Sequence, residues 1–138
     1  MNKSNDVIYG INGPVVTLKN SRSFSMMEMV FVGKEHLVGE VIGITENLTT
    51  IQVYEETTGL FPGEPVEGTG SPMNVTLGPG ILDNIFDGIE RPLKAIQEQS
   101  GSFISRGSNV SALDQKRLWA VTLTVHEGDP VKGGSIYA

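Results

Sequence analysis

The sequence predicts a mainly all-β chain: a small six-stranded antiparallel N-terminal barrel, then a short helical junction and an incomplete β segment. Three observations carry that prediction. Six short β-prone runs fall between residues 7 and 69, at the spacing of barrel strands. Turn formers separate them, in a chain that holds 17 glycines and 7 prolines. No helical period intervenes before residue 81. Closing such strands into a barrel removes the unpaired edges on which open sheets aggregate.

Val7-Ile8-Tyr9-Gly10-Ile11 is the first strand run. Asn12-Gly13-Pro14 is a turn signal, and Val15-Val16-Thr17-Leu18 is the returning strand. Lys19 to Ser25 is polar and reads as a loop. Met27 to Val32 is a third strand, ended by Gly33-Lys34. Leu37 to Ile44 is a fourth, with Gly39 and Gly43 marking the bends that close small barrels. Thr49 to Tyr54 alternates as a fifth. After Pro62-Gly63, Pro65 to Thr69 is a sixth, placed at an edge by its proline.

The stretch Leu77 to Leu93 organises the second half of the chain. Gly78-Pro79-Gly80 interrupts any helix or strand. Ile81, Leu82, Ile85, Phe86 and Ile89 then recur at helix-like spacing, which predicts a short apolar turn or helix. Asp87-Gly88 breaks it, and Pro92 pushes Arg91 toward an extended conformation. Such alternation of rigid turns and apolar turns describes a fixed connection between two packed bodies. Pro92 to Glu98 reads as a short helix with proline in its first turn, ended by Gly101. Ser100 to Asp114 is a polar loop, and Leu118 to Val125 a strand that buries Trp119 rather than offering it to a ligand. His126 to Ile136 is a glycine-bearing turn.

Bulk properties exclude several classes. At 138 residues the chain suits one domain, or a small domain with part of another. It has no cysteine, which excludes disulfide frameworks and thiol chemistry and fits a reducing compartment. A net charge of -6 argues against a nucleic-acid partner. No segment approaches the roughly 20 apolar residues that span a bilayer, so no direct membrane insertion is expected. The polar start Met1 to Asp6 leads straight into a strand pattern, with no secretory signal expected, and the Asn47, Asn74 and Asn109 sequons then read as chance matches.

The motifs carry a resemblance. Leu77-Gly78-Pro79-Gly80-Ile81-Leu82, then Ile85-Phe86-Asp87-Gly88-Ile89, then Arg91-Pro92-Leu93 is similar to the junction after the N-terminal barrel in the catalytic A subunit of V-type and archaeal A-type rotary ATPases. Ile11-Asn12-Gly13-Pro14-Val15-Val16, Leu37-Val38-Gly39-Glu40-Val41-Ile42 and Ile51 to Leu60 resemble further runs of that family, so the likeness spans roughly residues 7 to 107. The resemblance implies residues 1–72 as the barrel, 73–107 as the junction and start of the nucleotide-binding domain, and 108–138 as the start of an inserted bulge domain. The chain ends on Ile136-Tyr137-Ala138 inside a strand pattern, as expected of a piece of a longer protein.

Family catalysis needs Gly-X-X-X-X-Gly-Lys-Ser/Thr, whose amides cradle phosphates and whose hydroxyl holds magnesium. Here Gly33-Lys34 is preceded by Glu28 where the first glycine belongs and followed by Glu35 in place of the hydroxyl. The segment is therefore expected to hold no catalytic, cofactor or metal residue, with ATP and Mg2+ bound elsewhere in the intact subunit. Glu55-Glu56 reads as solvated acids at a strand end. His36 and His126 lack ligand spacing. Gly68-Thr69-Gly70 reads as a bend. The turn from His126 to Ile136 is similar to one in biotinyl and lipoyl carrier barrels, but the second hairpin on which those domains present a modified lysine is not in this chain.

What remains is structural. The resemblance implies a crown barrel in the peripheral, cytoplasmic head of an ATPase that couples ATP hydrolysis or synthesis to H+ or Na+ transport. B subunits would alternate with it in a hexamer. Ile81, Leu82, Ile85, Phe86 and Ile89 are the expected interface, docking the barrel onto the nucleotide-binding domain rather than serving the barrel's own base. Self-association of the isolated chain follows from such a patch. The alternative is a free-standing barrel that acts as an interaction module without catalysis.

Overall fold

The computed structural model describes residues 6–19, 21, 23–82, 84–101, 104–108, 110–114 and 116–138. Met1 to Asn5, Asp83 of the junction and Asn109 of its sequon lie outside the described residues. Six strands form one sheet: β1 (Ile8–Asn12), β2 (Val15–Lys19), β3 (Glu28–Val32), β4 (Leu37–Ile44), β5 (Leu48–Val53) and β6 (Val66–Pro72). Each lies within about two residues of its sequence-derived run, β6 running on to Pro72. The order is β1-β2-β5-β4-β3-β6, and every pairing is antiparallel.

Period-two alternation sets which face is buried. Val16 and Leu18 of β2, Val30 and Val32 of β3, Leu37 and Val41 of β4, and Ile51 and Val53 of β5 converge in one core with Ile8, Leu60 and Val66. Their neighbours in sequence face outward. Full burial of each branched side chain contributes roughly 1.5–3 kcal/mol. Thr49 enters the core as a polar residue at 1% exposure, and its hydroxyl donates to the Ser21 carbonyl at 3.1 Å. That bond offsets the cost of burying the hydroxyl.

Gly39 makes the inter-strand packing possible. A Cβ there would sit 2.9 Å from the Gln52 carbonyl oxygen and 3.0 Å from Ile51 Cγ2. The β4–β5 register shifts between Val41 and Gly43, so the expected bend at Gly43 is a bulge that turns the strand.

Closure is less complete than the sequence suggests. The ladder is open between β1 and β6, and the two edges meet at one end only. There Val7 bridges Pro65, Ile8 N donates to Glu64 O at 2.9 Å, and Val66 N donates to Asp6 O at 2.8 Å. Pro65 lacks an N–H, which limits how far that ladder can extend. The expected edge position of the sixth strand is thus where the seam lies.

Beyond β6 the chain is mostly irregular. Helix α1 (Leu93–Ser100) starts after Pro92 and ends at Gly101, whose N–H donates to Gln97 O at 2.9 Å. The helix-like spacing over residues 81–89 does not produce a helix among the described residues. Their backbone groups bond across a tight loop instead. Leu93 N donates to Ile85 O at 3.0 Å, Asp87 N to Arg91 O at 3.1 Å, and Phe86 bridges Pro92.

The expected strand from Leu118 to Val125 is likewise absent among the described residues. Thr124 N donates to Tyr137 O at 2.9 Å, but a lone pair of extended segments is marginal without a sheet to join. Trp119 is therefore not buried in a strand. It is 40% exposed, with the Arg117 guanidinium 4.2 Å from its ring centroid.

Candidate functional site

The segment that leaves the barrel is fastened to it by charge. Glu55 lies two residues past the end of β5, where Tyr54 N still donates to Val38 O at 2.9 Å. The Glu55 side chain is only 8% exposed. Its Oε2 accepts from Arg91 Nη1 at 3.1 Å and from the Gly107 N–H at 3.1 Å. Oε1 is buried and has no partner among the described residues. The expectation of two solvated acids thus holds for exposed Glu56 and fails for Glu55, because the junction folds back over it.

Arg91 reaches a second carboxylate. Its Nε donates to Asp87 Oδ2 at 2.6 Å, while Asp87 Oδ1 accepts from Arg91 N at 2.8 Å and Ile89 N at 3.1 Å. Burial alone would raise the Asp87 carboxyl, but these hydrogen bonds from Arg91 and Ile89 hold it below the usual carboxylate range. Burial also works against the Arg91 charge, and the bonds to Asp87 and Glu55 more than offset it, raising that guanidinium above its ordinary value. A planar fork can serve two carboxylates at once; an ammonium cannot do so with the same geometry.

The returning turn has its own anchor. Arg106 Nη2 lies 3.2 Å from Glu35 Oε2. Gly107, at φ +64, sits so close to the β3–β4 turn that a Cβ would lie 1.9 Å from the Glu35 carbonyl oxygen.

The five apolar residues singled out in the junction divide into two groups. Ile81, Phe86 and Ile89 are half-buried and line one hollow of about 410 Å3 with Val75 and Leu77. Leu82 and Ile85 lie outside that hollow and are 80% and 72% exposed. The Glu55–Arg91–Asp87 cluster was not legible as a site. The Asp87 and Arg91 spacing of four residues was the one available signal, whereas Glu55 stands 36 residues before Arg91.

The glycine-bearing loops do not fit a nucleotide phosphate or its magnesium ion. The Lys34 N–H already donates to the Glu64 carboxylate at 3.1 Å, and Gly33 packs against that same side chain. The Gly70 N–H donates to Glu28 Oε1 at 2.9 Å, and the Thr69 hydroxyl to Met29 O at 2.8 Å. A phosphate at either loop would meet a carboxylate instead of free amides. His36 packs beside Phe31, and His126 lies 3.6 Å from Asp129. No group of three metal-ligating side chains occurs among the described residues. No helix among them is long and apolar enough to cross a membrane.

Comparison with known proteins adds a family to this geometry. Residues 8–70 match the ATP synthase alpha/beta family, beta-barrel domain. Along its whole length the chain is 54% identical to the V-type ATP synthase alpha chain of Halothermothrix orenii, of which it spans 23%. Over 96% of its length it is 53% identical to the catalytic A subunit of the V-type proton ATPase of Cyanidium caldarium, again spanning 23% of that protein. Over 95% it is 50% identical to the V-type ATP synthase alpha chain 2 of Clostridium tetani, spanning 22%. Among solved structures, the assembled ATPase EscN of the enteropathogenic E. coli type III secretion system matches with a TM-score of 0.57 and 22% identity. That match covers 63% of this chain and 21% of the other, a likeness of fold alone. The chain spans less than a quarter of the length of the curated relatives it matches.

Proposed function

The chain belongs to the ATP synthase alpha/beta family, and from that premise we propose that it is the crown-barrel segment of the catalytic A subunit of a V/A-type ATPase. The intact subunit couples ATP hydrolysis or synthesis to H+ or Na+ transport. This segment serves structure and assembly. The carrying observation is high identity along essentially the whole chain to the alpha chains and catalytic A subunits of such enzymes.

In this reading residues 1–72 are the barrel, 73–107 the junction and start of the nucleotide-binding domain, and 108–138 the start of the inserted bulge domain. B subunits alternate with it in a hexameric head that lies peripheral to the membrane on its cytoplasmic side. The segment binds neither ATP nor Mg2+; those belong to the rest of the subunit. Ile81, Leu82, Ile85, Phe86 and Ile89 dock the barrel on the nucleotide-binding portion of the same polypeptide. Support for that occupant comes from the exposed apolar residues of the junction and from relatives about four times as long as this chain.

The test is an immunoblot of the source cells with an antibody raised against the barrel. A band about fourfold larger than 14.8 kDa supports the reading. A band at 14.8 kDa overturns it in favour of a free-standing interaction module.

A further inference from the structure

We propose that Glu55 is a positioning residue, a clasp that holds Arg91 of the outgoing arm and the Gly107 amide of the returning turn at once, so that residues 87–107 move with the barrel as one unit. The contacts lie within this chain, so the clasp stands whether or not the chain is an ATPase segment.

Three features support it. Glu55 is set rigidly, because the backbone is still paired to β4 at Tyr54. One carboxylate oxygen receives both donors, which lie 36 and 52 residues ahead in the chain. These donors flank α1, so the two bonds close a loop around the helix. Other fastenings hold one end only. Asp87 binds Arg91 within the arm itself. The Arg106–Glu35 pair holds the turn, and its side chains are 33% and 52% exposed, where an ion pair contributes little. Glu55 hydrogen-bonds both ends from one position on the barrel.

Hydrogen bonds to a charged, buried acceptor are the stronger kind. Removing Glu55 leaves Arg91 with Asp87 as its carboxylate partner among the described residues and takes away the acceptor of the Gly107 amide. The barrel core, which Glu55 does not enter, keeps its contacts.

Amide hydrogen exchange followed by mass spectrometry on the 138-residue chain tests this, with Glu55→Ala, Glu55→Gln and Arg91→Lys. Glu55→Ala is expected to speed exchange in peptides from 87–107 on the order of tenfold to a hundredfold, with peptides from β2, β4 and β5 unchanged. Glu55→Gln keeps an acceptor oxygen for Gly107 and should restore part of the protection. Arg91→Lys should loosen residues 87–91 more than Gly107. Unchanged exchange in 87–107, or an equal rise in barrel and junction, overturns the proposal. If Glu55→Ala fails to fold, the Glu55→Gln and Arg91→Lys patterns decide on the same terms.

Discussion

Arg91 Nη1 lies 3.1 Å from Glu55 Oε2, and this contact joins the junction to the turn that follows β5 across 36 residues of chain. The pair is largely withdrawn from water, with side-chain exposures of 14% and 8%. Salt therefore screens it less than a surface pair. Removing Arg91 strands the buried Glu55 charge, and the structure around it must then relax.

Acid should loosen the turn that Asp87 closes. Asp87 is held below its ordinary value of 3.8 by the Arg91 and Ile89 hydrogen bonds, against the upward push of burial. Its contribution is therefore complete above that pH and is lost as the pH falls through it toward the lower folded value. Hydrogen exchange in peptides from 85–93, corrected for the intrinsic effect of pH on exchange, should accelerate below about pH 4. Asp87→Asn should abolish that acid step. A flat corrected profile from about pH 5 down to about pH 2 in the unaltered chain would refute it.

Gly107→Ala should undock the returning turn. The left-handed backbone costs a side chain roughly 1–2 kcal/mol, and the new Cβ would overlap the Glu35 carbonyl oxygen. Trypsin cleavage after Arg106 should speed up while thermal unfolding of the barrel stays close to that of the unaltered chain. Equal cleavage rates would mean the turn has another way to seat.

Inside the barrel, Ile51→Ala should cost about 2–5 kcal/mol, since Ile51 is fully buried on a strand flanked by two others. Gly39→Ala should cost about 1–3 kcal/mol through overpacking against backbone that cannot rotate away. Urea denaturation measures both. A Gly39→Ala variant as stable as the parent would show that β4 and β5 can separate without penalty.

Leu82→Ser with Ile85→Ser should leave stability within about 0.5 kcal/mol, because both side chains are exposed. The same double change should lower hydrophobic-dye fluorescence and self-association, read by light scattering. No change in either readout would count against these two residues as a docking face.

Sequence alone determined where the strands lie and how they turn. Alternation is a local property, visible in Val16 and Leu18 or Val30 and Val32, and the Gly13-Pro14 and Pro62-Gly63 turns interrupt it where the chain reverses. The rare glycine and proline spacing of residues 77–93 also carried the family resemblance without any coordinates. The short helix after Pro92 followed from the proline before it and Gly101 after it. The tertiary structure decided the rest. Spacing over residues 81–89 resembled a helix, yet Ile85 O and Asp87 N were taken by partners across a loop. Leu118 to Val125 had strand composition, but a strand exists only where a neighbour supplies its hydrogen bonds. Glu55 had no local signal at all. Its burial and its role depend on donors 36 and 52 residues away, and the folding back of the chain alone brings such partners together.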